Sequence, residues 1–101
     1  MNTPYEYNQR QLRLMLEALA SYERGKSSLH ALANSLEGLV NVLEEPRPSW
    51  KRDFLKYWGL FDDINAIAID RNTNKLSEND IMDIHNAIEQ LKHLISSEMG
   101  G

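Results

Sequence analysis

A chain of 101 residues can build one hydrophobic core but not two, and 42% apolar with 26% charged residues excludes a disordered or fibrous protein. The absence of cysteine excludes a disulfide framework, a thiolate metal site and a cysteine nucleophile. The net charge of −4 is unevenly spread: residues 1–59 hold seven acids and eight bases, whereas 60–91 hold seven acids against only Arg71 and Lys75. That acidic stretch disfavours nucleic acid as a partner and favours a basic protein surface. No apolar run approaches the roughly 20 residues of a membrane-spanning helix. The opening MNTPYEYNQRQ lacks the basic-then-apolar order of a secretory signal. A cytoplasmic protein is expected.

Apolar residues recur at steps of three and four almost throughout, so an all-α fold is expected, a compact antiparallel bundle of four to five helices in one domain. Thr3, Pro4 and Glu6 announce the first helix: a cap, a proline at the first helical position and the far member of a capping box. Its inward stripe is Leu12, Met15, Leu16, Leu19 and Tyr22, and Gly25 stops it. Ser27 or Ser28 opens a second helix with the stripe Leu29, Leu32, Leu36, Leu39, Val40 and Leu43. Ala31, Ala33 and Gly38 offer small positions for a close neighbour. Glu44-Glu45-Pro46-Arg47-Pro48 ends it, because two prolines cannot continue a helix.

Ser49 is expected to cap the third segment, whose stripe runs through Trp50, Phe54, Tyr57, Trp58, Phe61, Ile64 and Ala68. Gly59 costs about 1 kcal/mol relative to alanine inside a helix, which predicts two short helices meeting there. After the polar 70–75 stretch, Ser77 to Asp80 forms a second capping box with acids at the positive helix end. The last stripe is Ile81, Ile84, Ile88, Leu91 and Ile95. The ends, 1–3 and 97–101, are expected to fray.

Constellations that carry chemistry are weak. Asp70-x-Asn72-x-Asn74 imitates the start of a calcium loop, but the sixth position is Lys75 instead of glycine and the twelfth is Ile81 instead of a bidentate acid. His85, Glu89 and His93 stand four apart, and each step drifts about 40° around a helix, too far for both histidines to share a zinc ion. Ser27, Ser28, Ser49 and Ser77 all sit where helix caps are wanted. Asp62 and Asp63 are adjacent, so they point about 100° apart and make no acid–base dyad. Arg47, Lys51, Arg52 and Lys56 lie among aromatics, but those aromatics belong to the core stripe. No catalytic, cofactor-binding or metal-binding residue is assigned, and an enzyme is not expected.

The stretch LHALANSLEGLVNVLEEPRPSWKRDFLKYWGLFDDINAIAIDRN combines a leucine-rich helix, a short loop, W-x3-F-x3-W, two acids and an I-x-A-x-A-x-D-like helix. It resembles small bacterial helical immunity proteins of contact-dependent growth inhibition and related polymorphic toxin systems. The resemblance spans roughly residues 29–95 and departs at Asn65-Ala66, where the pattern prefers tyrosine before the alanine. It implies a protein that binds and neutralises a cognate toxin domain, often a nuclease and here an EndoU-like RNase, by covering its active site. A nuclease cleft is basic because it holds phosphate, and an acidic helical surface enters it as a charge mimic. Asp62, Asp63, Asp70, Glu78, Asp80 and Asp83 are the candidate contacts, and exposed tyrosines such as Tyr5, Tyr7 or Tyr57 are the rival anchors. The free chain is expected to be a monomer. The alternative is a helical adaptor or regulatory subunit of a protein assembly.

Overall fold

The computed structural model describes residues 4–70 and 76–100, and the backbone alone at positions 4, 68–70 and 100. Four helices run up, down, up and down: α1 (Pro4–Glu23), α2 (Leu29–Asn41), α3 (Pro48–Asp70) and α4 (Glu78–Gly100). Each packs on its chain neighbours, and α1 closes the ring against α4. The expected all-α bundle is therefore realised, with four helices among the described residues.

The ends of the helices follow from local chemistry. Gly25 adopts φ 73 after α1, and the Lys26 and Gly25 amides donate to the carbonyls of Ser21 and Tyr22 at 3.0 and 2.9 Å. This glycine stop satisfies carbonyls that the helix end leaves free. Ser28 caps α2, its Oγ accepting from the Ala31 amide at 3.1 Å. Ser77 and Asp80 form the expected reciprocal box: the Asp80 amide donates to Ser77 Oγ at 3.1 Å, and the Ser77 amide donates to Asp80 Oδ2 at 3.3 Å.

Ser49, by contrast, does not cap α3. The first bond runs from the Lys51 amide to the Arg47 carbonyl at 2.9 Å, and Pro48 takes the first helical position. Proline suits that position because its missing N–H has no partner there anyway.

Gly59 does not break α3, which is one helix of 23 residues. The reason lies on the opposite side of the helix. Trp50, Phe54, Phe61 and Ile64 are buried on both sides of the glycine, with Tyr57 and Trp58 half-buried beside them. Each fully buried aromatic or aliphatic side chain contributes roughly 1.5–3 kcal/mol, which outweighs the ~1 kcal/mol cost of one glycine. The Trp50 indole donates to the Leu94 carbonyl of α4 at 2.8 Å, and the Trp58 indole donates to the Ala33 carbonyl of α2 at 2.8 Å. Trp50 also stacks on Phe54 with centroids 5.3 Å apart. These bonds fix the segment before Gly59, and the segment after it is held by buried Phe61 and Ile64.

Two further expectations change. Of the small positions on α2, only Ala33 is buried; Ala31 and Gly38 face outward. Ile81 is 55% exposed, because it lies beside the last turn of α1, which stops at Glu23. Near the end of α4 Glu98 accepts from Arg47 at 2.6 Å and Met99 packs against the core; of the ends expected to fray, residues 1–3 and 101 lie outside the described residues. No polar or charged residue is buried among the described residues.

Two outcomes check this account by urea denaturation. Trp50→Ala should cost about 3–5 kcal/mol, as loss of a buried aromatic does. A Cβ at Gly59 meets nothing within 4 Å, so Gly59→Ala should raise stability by about 0.5–1 kcal/mol.

Candidate functional site

The acids singled out in the sequence fall on the last turns of α3 and the first turns of α4, flanking the 71–75 connection. Asp62, Asp63, Glu78 and Asp83 are exposed, and none pairs with a basic group among the described residues. Asp80 is half-buried and its carboxylate is held by the Ser77 amide, so it serves the cap of α4. The side chain of Asp70 lies outside the described residues, as does the calcium-like 71–75 loop.

Helix electrostatics divides these acids further. Glu78 and Asp80 stand in the first turn of α4, where the positive end of the helix dipole favours them. No such benefit reaches Asp62 and Asp63. They lie about two turns before the last residue of α3, where the helix dipole neither favours nor opposes them. Asp62, Asp63 and Asp83 are thus acids that helix stability does not explain.

The same end of the bundle exposes apolar side chains. Ile67, Ile81 and Met82 are 47%, 55% and 62% exposed. Sequence periodicity placed Ile81 in the core and gave no sign of the other two. Scattered exposed apolar residues are ordinary, but three within two helical ends rimmed by carboxylates match the composition of a docking surface.

The rival tyrosines are dispersed. Tyr5 is 59% exposed on the first turn of α1, Tyr7 is half-buried, and Tyr57 is half-buried under the Lys56 ammonium, 5.7 Å from its ring centroid. A pocket of about 150 Å³ opens near Tyr5, Asn8, Glu45, Pro46 and Glu98. It is smaller than the roughly 300–1,000 Å³ of a small-molecule site. Above it Asn8 grips the Glu44 peptide twice, donating to its carbonyl at 2.8 Å and accepting from its amide at 2.9 Å. That grip steadies Glu45, which holds φ 49, a left-handed conformation costing about 1 kcal/mol for a residue with a side chain. A shallow groove between α1 and α2 is lined by Leu14, Ala18, Gly38 and Leu39.

The histidines take structural places. His30 joins α2 to α3, its ring nitrogens 3.1 and 3.2 Å from the amides of Asn34 and Asn65. His93 is exposed. His85 and Glu89 come together with Glu23 of α1, their ligand atoms all within 4.8 Å of one another. Lys92 already occupies that cluster, with Nζ 2.7 Å from Glu23 and 3.7 Å from Glu89. An ammonium between two carboxylates supplies the positive charge a metal would bring, so the group reads as an α1–α4 ion pair.

No family model, curated protein or solved structure matches this chain. Among the described residues no helix is long and apolar enough to cross a membrane.

The bond to Glu23 raises the Lys92 pKa above its ordinary 10.5, and the nearby carboxylate charges add to the rise. A raised folded-state value means the stabilisation is complete below 10.5 and is lost as pH climbs through the folded value. Lys92→Met should cost less than about 1 kcal/mol at neutral pH, as exposed pairs do. The gap between variant and wild type in urea midpoint should close at strongly alkaline pH.

Proposed function

We propose that the protein works by binding another protein, and that its partner is a toxin domain with a basic active-site cleft. The observation that carries this reading is that Asp62, Asp63 and Asp83, which pair with no base among the described residues, stand on the same helix ends as exposed Ile67, Ile81 and Met82. Apolar side chains supply affinity once water is excluded, and the carboxylates steer a basic partner and fix its orientation. The resemblance of the 29–95 stretch to immunity proteins gives the partner its class, a nuclease of the EndoU-like kind. Neutralisation then needs no chemistry from this chain, only coverage of the cleft in the cytoplasm of the producing cell.

A helical adaptor is the second reading, favoured by the α1–α2 groove with Leu14 at 41% exposure. The two readings use different faces. Co-expression with the toxin domain encoded beside its gene should preserve the cells and yield a complex. Asp63→Lys with Asp83→Lys should leave the fold intact and weaken that complex about tenfold or more, chiefly through slower association at low salt. A complex indifferent to those reversals but lost in Leu14→Arg would move the binding site to the groove and defeat the acidic-end proposal.

A further inference from the structure

By spacing along α4, His85 looks toward His93, which lies too far round the helix to share an ion with it. The fold gives His85 different neighbours. Residues four apart stand one turn apart on one helix face, so His85 and Glu89 share the side of α4 that meets α1. Glu23, the last residue of α1, reaches the same spot, and one ligand atom from each of the three lies within 4.8 Å of the other two. An imidazole nitrogen and two carboxylate oxygens form a donor set that suits zinc, which can take three protein ligands and leave a fourth position to water.

The three histidines are not equivalent. His30 is committed to Asn34 and Asn65, at 3.1 and 3.2 Å. His93 belongs to no such ligand group among the described residues. His85 has no hydrogen-bond partner among the described residues, and it stands beside two carboxylates.

Lys92 shows that those carboxylates draw a cation, its Nζ lying 2.7 Å from Glu23 and 3.7 Å from Glu89. The ammonium balances only one of their two charges and leaves the His85 ring unused. Its side chain is 37% exposed on a long flexible stem, so it can swing into water at the cost of an exposed ion pair. A cavity of about 220 Å³ opens beside Glu23 and His85, over Tyr22, Ile81, Ile84 and Ile88, and has room for a water ligand.

We propose that Glu23, His85 and Glu89 form a site for a divalent ion of the zinc type, which binds by displacing the Lys92 ammonium and clamps the end of α1 to α4. The ion brings two charges where the ammonium brings one, and it engages the imidazole as well. Without the ion, the group is the α1–α4 ion pair described above. The site needs only this chain, so it stands apart from the toxin reading. Because its ligands come from two packed helices, the ion binds the folded chain more tightly than the unfolded one and stabilises it.

Titration of the full chain with zinc chloride near neutral pH, followed by calorimetry and by the histidine ring signals in NMR, tests it. The His85 ring signals should shift, those of His30 and His93 should not, and the urea midpoint should rise with zinc. His85→Ala and Glu23→Gln should each weaken binding about tenfold or more and abolish the rise in midpoint. Lys92→Met should tighten binding about two- to fivefold, the worth of the exposed ion pair that no longer competes. Circular dichroism should show unchanged helix in every variant. A chain that takes up no zinc to about 1 mM, binding that survives the loss of His85 or Glu23, or a Lys92→Met variant that binds no more tightly would each overturn the proposal.

Discussion

Two indole hydrogen bonds set the geometry on which the rest of this bundle depends. Trp50 and Trp58 lie eight residues apart on α3, and each donates at 2.8 Å to a main-chain carbonyl of a different neighbour, Leu94 on α4 and Ala33 on α2. A buried indole without a partner would cost roughly 1–3 kcal/mol, so each ring is fixed in place and in height. With Phe54 and Phe61 wholly buried between and beyond them, α3 becomes a spine that α2 and α4 read from two sides. Gly59, which follows Trp58 and precedes buried Phe61 and Ile64, is then carried along by packing that lies on the other face.

This arrangement explains why the outward side of α3 is free to hold charges. Stability comes from the inward stripe, so Arg52, Lys56, Asp62 and Asp63 are not constrained by it. The end of the bundle follows the same logic. α1 stops at Glu23 while α4 begins with the Ser77–Asp80 box, and the first turns of α4 expose Ile81 and Met82. Carboxylates and apolar side chains meet there because the helices end at different heights.

Much of the fold was legible in the sequence because apolar spacing and capping chemistry are local. The stripes of α1, α2 and α4, the Gly25 stop and the serine caps at 28 and 77 all follow from residues within one or two turns of each other. What the sequence could not show depends on partners distant along the chain. Gly59 reads locally as a break and is overruled by contacts with α2 and α4. Ser49 reads as a cap, yet Pro48 is already inside the helix. Ile81 fits the periodic stripe, but whether a stripe residue is covered depends on the length of the neighbouring helix. The Asn8 grip on Glu44 joins residues 36 positions apart and left no local mark. At the candidate site, the acids were legible as a charge imbalance, and their sorting into capping and free groups was not.

Hydrogen exchange followed by NMR tests the central claim, that α3 is one helix held through Gly59 by its two indoles on one side and buried Phe61 and Ile64 on the other. The chain has two tryptophans, so both indole protons can be followed together with the amides of residues 59–63. The account predicts that these protons exchange as slowly as the buried centre of the bundle, through global unfolding. Rapid exchange of the 59–63 amides, or of either indole, beside a protected α4 would show that α3 opens at the glycine and would contradict it.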